Sequence, residues 1–245
     1  MHHRIAQDLL ALGLRPGGVV LVHSSLKSLG HVEGGPQSVI EGLLLALGPA
    51  GTLLLPALSY ASVGPAQPLF DVRHTPCCVG AIPEYFRRCP GVRRSLHPTH
   101  SVCGLGPRAA EMLDEHHLDD TPCGAHSPFR RLRDAGGQIL MLGCGLMPNT
   151  SMHGVEELAL PPYLFGPVVH YRLIRADGTE IAYACRSHDF RGFRQRYDRL
   201  AEVLDGRSLR VGGVLKGTAH LIEAVSMWRE ALAAIRGNPL YFVEG

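Results

Sequence analysis

Apolar residues at Ile5, Leu9, Leu10 and Leu12 recur at helical spacing, and the run closes at Gly13 and the Arg15-Pro16-Gly17-Gly18 turn. Val19-Val20-Leu21-Val22 is continuously apolar between turn residues, the pattern of a strand covered on both faces. Helical spacing returns from Pro36 to Leu47, Gly48-Pro49-Ala50-Gly51 makes a turn, and Thr52-Leu53-Leu54-Leu55 reads as a second buried strand stopped by Pro56. Strand, helix and strand in such close succession form a crossover unit, so a parallel sheet follows. The first strand delivers His23-Ser24-Ser25 to its C-terminal end.

From Ala57 to Pro76 the periodicity fades among Gly64, Pro65 and Pro68, which predicts a long loop contributing to a substrate pocket. Beyond it the spacing predicts helices from Ala109 to Glu115 and from Pro128 to Asp134, a strand from Gln138 to Leu142, and a helix from Met152 to Leu160. A hairpin of Val168 to Ile174 and Glu180 to Ala184 turns at Asp177-Gly178. Helices are expected from Phe190 to Leu204 and from Ala219 to Ile235. The 245 residues and 45% hydrophobic content suffice for a substantial core, read as one domain over residues 1–245.

Charge changes this picture by exclusion. The net charge is +2, with no basic run interleaved with aromatics, so nucleic acid is not an expected partner. No apolar run approaches the roughly 20 residues that span a bilayer, and Met1-His2-His3-Arg4 is not followed by an apolar segment, so neither anchor nor signal peptide is expected. Seven cysteines without a CxxC pair are read as reduced thiols in the cytoplasm.

Three segments carry chemistry. His23-Ser24-Ser25-Leu26-Lys27-Ser28-Leu29-Gly30 joins a strand end to a helix start through hydroxyls, a lysine and glycines, a composition suited to a phosphate or an amide chain. Its bland reading is an ordinary Ser/Gly connection. Arg93-Arg94-Ser95-Leu96-His97-Pro98-Thr99-His100-Ser101 concentrates cations, hydroxyls and imidazoles. Arginine can hold phosphate and histidine can act as a base, against the alternative of a solvated basic turn. His97, His100 and Cys103 do not make a metal site at this spacing, because Pro98 opposes a helix and a fourth ligand is not evident, so no metal is expected.

In Thr150-Ser151-Met152-His153-Gly154-Val155-Glu156-Glu157, His153 and Glu156 are i and i+3 neighbours on a helix, so the carboxylate can orient the imidazole. A carboxylate-supported histidine suits proton removal from an amine that attacks a thioester. The bland reading is an ion-paired surface histidine. Ser127 is a good cap for a helix opening at Pro128. His188-Asp189 either reaches the pocket rim or merely starts a helix.

The blocks HSSLKSLGHVEGG, GTLLLPAL, TPCCVGAIPEYFRR, RRSLHPTHS, GAHSPF, ILMLGCG and TSMHGVEELA, in this order, resemble the aminoglycoside 3-N-acetyltransferase family. The resemblance runs from about residue 5 to residue 230. It implies a three-layer α/β/α fold with a mostly parallel central sheet and a small appended lobe. It also implies acetyl-CoA as co-substrate and direct transfer to the 3-amino group of a 2-deoxystreptamine aminoglycoside.

The resemblance assigns catalysis to His153 and Glu156 with His97 beside the reacting centre, and donor contacts to Ser24, Ser25, Leu26, Lys27 and Gly30, with Arg94, Ser95 and Ser127 placed by their blocks. Asp71, Glu157 and Asp189 are the expected acceptor contacts, since polycations need negative walls. One departure matters: the stretch from Tyr60 to Asp71 replaces a longer, acid-rich excursion of antibiotic-modifying members.

Other readings keep coenzyme A with a different amine metabolite, use Cys77 or Cys78 as nucleophile with His97 or His153, or bind coenzyme A or antibiotic without turnover. Either a monomer or a homodimer fits.

Overall fold

The computed structural model describes residues 1–245, apart from the side chain of Arg191. Helix α1 (His2–Leu12) ends where Gly13 turns left-handed at φ 103 and closes on the carbonyls of Leu9 and Leu10. Then come β1 (Val19–Ser24), α2 (Gly35–Leu47), β2 (Thr52–Pro56), β3 (Leu69–Asp71), α3 (Ala81–Arg87), β4 (Arg93–Arg94) and β5 (Val102–Leu105). The middle holds α4 (Ala109–Leu113), α5 (Pro128–Asp134), β6 (Gln138–Leu142), α6 (Ser151–Ala159), β7 (Phe165–Ile174) and β8 (Glu180–His188). The chain closes with β9 (Arg194–Gln195), α7 (Leu200–Val203), β10 (Leu209–Val214), β11 (Gly217–Glu223), α8 (Ala224–Gly237) and β12 (Val243–Glu244).

The seven-stranded sheet runs β10-β11-β6-β1-β2-β5-β4. Strand alternation sends Val20, Val22, Leu53, Leu55, Leu140 and Leu142 to one face, under α1, α2 and α3. Val19, Leu21, Leu54, Ile139 and Met141 go to the other, under α4, α5, α6 and α8. Both faces are thus covered and the three layers expected from the sequence are present; each fully buried leucine or valine contributes roughly 1.5–3 kcal/mol. The lobe is the sheet β3-β7-β8, with a small core of Phe70, Val169, Tyr171, Leu173, Tyr183 and Cys185.

The sheet is mixed rather than mostly parallel. Only the pairings of β1 with β2 and with β6 are parallel, and all the others are antiparallel. Helical crossovers serve the centre, while the tight β10–β11 turn and the reversing β4 and β5 build the flanks; an apolar run records burial, not direction.

Two expected helices also differ. Residues 219–223 continue β11, where Gly217, Ala219 and Leu221 are buried and Thr218 is exposed, a period of two. The helix expected from Phe190 to Leu204 breaks into short pieces because Phe190 and Gly192 take positive φ. Among the described residues no helix is long and apolar enough to cross a membrane.

Candidate active site

The parallel strands β6, β1 and β2 point their C-terminal ends into one crevice, with α2 leaving β1 on one face and α6 following β6 on the other. This is the switch-point position at which open α/β sheets bind ligands. A cavity of about 530 Å³ opens there, lined by His23 and Ser24 from β1, His100, His153, His188 and Tyr197, among others.

His153 stands on the first turn of α6, with Glu156 one turn on and completely buried. The two meet directly at 3.3 Å, but Tyr197 bridges them better: its hydroxyl lies 2.9 Å from His153 Nδ1 and 2.8 Å from Glu156 Oε2. A carboxylate only accepts, so the single phenolic proton goes to Glu156 and the tyrosine oxygen accepts the Nδ1–H of His153. In the neutral ring, a proton on Nδ1 leaves Nε2 with its lone pair. The second Glu156 oxygen accepts from Tyr163 at 3.0 Å. Burial, followed by the Glu156 charge, raises both phenols above their usual range, so they remain protonated donors.

Burial disfavours the charged form of the other cavity imidazoles. Burial, then His153, lowers His23 to about 3. His100 and His188 are likewise held well below their usual range, by burial first and neighbouring histidines second. His188 Nε2 lies 2.8 Å from Glu157 Oε1, and burial raises the Glu157 carboxyl to about 7. Glu157 also accepts from Thr121 and from the backbone N–H of Cys123, which fixes it behind the wall. His23 Nε2, Ser24 Oγ and His188 Nδ1, in residues that line this cavity, are buried without hydrogen-bond partners.

A second groove joins the first at Ser24. The structure brings together Ser24, Ser25, Leu26, Lys27 and Gly30 there, with His31, Gly80 and Ala81. Ser25 and Ser28 pair through their hydroxyls at 2.9 Å. Backbone, two hydroxyls, an ammonium and a left-handed glycine at φ 82 give the donor set a phosphorylated amide chain requires, and the unpartnered Ser24 hydroxyl lies where the two spaces meet.

Several sequence expectations are corrected. His97 does not reach the cavity: it is fully buried, its Nδ1 accepts from the backbone N–H groups of Thr99 and His100, and its ring stacks on His116. Its neighbour His100 forms the wall instead. Arg94 is tied to the carbonyls of Ala57 and Thr75 and to Ser101, over the ring of Phe70, which leaves it no reach toward a donor. Ser95 is buried against His116 and the N–H of Val102. Ser127 is the buried cap of α5, accepting from Arg130 N–H. Asp71 is occupied in the lobe by Arg73 and His74, Glu157 stands behind His188, and Asp189 is exposed beside the lining residue Phe190. Neither Cys77 nor Cys78 lines the cavity, and burial raises the Cys77 thiol, opposite to an activated nucleophile.

Tyr163, Tyr197 and Phe190 escaped the sequence reading, and His23 was placed at the strand end but given no role of its own. Positional signal existed only for His23, at the strand end; Tyr197 lay inside a segment read as continuous helix.

The family model described as aminoglycoside 3-N-acetyltransferase matches residues 21–236. Aminoglycoside N(3)-acetyltransferase IV of Salmonella sp is 34% identical over 96% of this chain and 87% of its own length. Among solved structures, a histidine-to-alanine mutant of the aminoglycoside acetyltransferase AAC(3)-IVa in complex with gentamicin aligns at a TM-score of 0.84 and 32% identity, covering 100% of this chain and 91% of that one. AAC-IIIb in a binary complex with CoASH aligns at 0.84 and 27% identity, covering 97% and 96%.

Proposed function

The chain belongs to the aminoglycoside 3-N-acetyltransferase family and is an acetyltransferase; from that premise we propose that it acetylates the 3-amino group of a 2-deoxystreptamine aminoglycoside from acetyl-CoA, with His153 as general base. The observation that carries this reading is the His153–Tyr197–Glu156 chain facing a cavity that meets the Ser25–Gly30 groove at Ser24. Acetyl-CoA bound along that groove supplies a thioester acyl group. As the amine nitrogen bonds to the acyl carbon and the thioester C–S bond breaks, His153 Nε2 takes the amine proton and passes it to the leaving thiolate, which departs as coenzyme A thiol; the charge that develops on the ring is shared through Nδ1–H with Tyr197 and the buried Glu156. His23 Nε2 accepts a hydrogen bond from the acceptor, while the Ser24 hydroxyl can donate to the acyl oxygen. The same geometry supports one catalytic domain over residues 1–245.

One observation favours a second acceptor class. Among the described residues lining the cavity there is no Asp, Glu, Lys or Arg, and both nearby glutamates are fully engaged. A polycation gains little from such walls, which suits an amine metabolite carrying fewer charges. Thiol release from acetyl-CoA, with mass spectrometry of products, across 2-deoxystreptamine aminoglycosides and singly charged amines separates the two. A gain of one acetyl group on the 3-amino group of an aminoglycoside is the expected result; acetylation of only the singly charged amines would replace it with the second reading.

A further inference from the structure

Of the 24 lysine and arginine residues in this chain only two are lysines, Lys27 and Lys216. They lie far apart in sequence, yet both converge on Gly30. Lys27 opens the short 3-10 turn Lys27–Leu29, and the Gly30 N–H returns to the Lys27 carbonyl. Lys216 sits at the tip of the β10–β11 turn, and its stem lies over Gly30 so closely that a Cβ on that glycine would meet Lys216 Cδ at 2.8 Å. Gly30 lines the groove that holds Ser25, Lys27 and His31. Among the described residues neither ammonium is ion-paired, whereas arginines across the surface mostly are.

The turn that carries Lys216 is held in place at a conformational cost. Leu215 takes φ 54, a left-handed conformation unfavourable for a bulky residue, and its N–H is fixed by Asp8. Gly217 follows with no room for a side chain, since a Cβ there would meet Leu29 Cδ2 at 2.8 Å and the Ser28 carbonyl at 3.1 Å. The hairpin tip is therefore pressed onto the 25–30 loop, and the Lys216 stem lies against Gly30, a residue of the groove wall. A flexible four-carbon stem with an unpaired ammonium is a mobile point charge, suited to phosphate oxygens.

We propose that Lys216 acts with Lys27 as a two-cation clamp on the phosphates of the acyl donor, so that the β10–β11 hairpin is part of the donor site. This rests on the coenzyme A reading above.

The test is calorimetric binding of coenzyme A, pantetheine and adenosine 3′,5′-bisphosphate to the whole protein and to Lys216→Gln, Lys216→Arg and Lys27→Gln. Lys216→Gln should weaken coenzyme A and the bisphosphate about tenfold, the scale of one charge-assisted contact, leave pantetheine and the melting temperature unchanged, and be rescued in part by Lys216→Arg. Equal loss for pantetheine would make Lys216 a structural residue, and unchanged coenzyme A binding would remove it from the site. If the wild type binds the bisphosphate through Lys216 but transfers no acetyl group, the clamp stands and the proposed activity falls; a wild type that binds neither phosphorylated probe overturns both.

Discussion

Tyr197 decides how His153 is held. The direct His153–Glu156 contact is long at 3.3 Å, while the phenol spans both partners at 2.8 and 2.9 Å. In Tyr197→Phe the ring still fills its place, but Nδ1 loses its nearer acceptor and Glu156 Oε2 loses a donor. Steady-state kinetics should show kcat falling on the order of tenfold, as expected when an orienting hydrogen bond is removed, with donor KM retained. An unchanged kcat would make the direct pair sufficient. His153 and Glu156 were legible in the sequence because i and i+3 spacing is a local property of a helix. Tyr197 was not, because its partner lies 41 residues away, in contact only through the tertiary fold. His97 and Arg94 misled for the converse reason: a residue type suited to chemistry serves equally well as a buried hydrogen-bonding post, and the sequence does not record which way it points.

At the level of elements, α6 carries His153 and Glu156 and α8 backs it. The two helices approach at Gly154, where a Cβ would come within 2.3 Å of the Trp228 ring. Gly154→Ala should therefore force α6 off α8 and cost roughly 1–3 kcal/mol by overpacking, a drop of about 2–12 °C in melting temperature for a chain of this size. An undiminished melting temperature would mean that the contact yields without strain. The buried strands β1, β2 and β6 announced themselves as apolar runs between turns, and α2 as a periodic segment ended by Gly48. The β10–β11 hairpin did not, since β10 at the sheet edge buries only Val214 and Gly212, Gly213 and Gly217 dilute the pattern. Residues 190–204 look helical by periodicity, yet Phe190 and Gly192 at positive φ break the run and swing Tyr197 to the cavity.

For the whole molecule, the three-layer plan followed from covering apolar strands on both faces, but the order and direction of the outer strands depend on pairings between distant segments, which no local pattern specifies. The result is a parallel centre whose strand ends open one crevice, flanked by antiparallel strands that bring Lys216 to one side and hold the His100 segment on the other. The Ser25–Gly30 groove and the His153 cavity meet at Ser24, so the proposed reaction needs a base in one space acting on a donor held in the other. The most direct measurement is acetyl-CoA-dependent acceptor turnover by wild type and His153→Ala, with coenzyme A affinity measured on both. A general-base role for His153 predicts a loss of kcat of about 100-fold or more, with coenzyme A affinity nearly unchanged; equal turnover by the two proteins would contradict it.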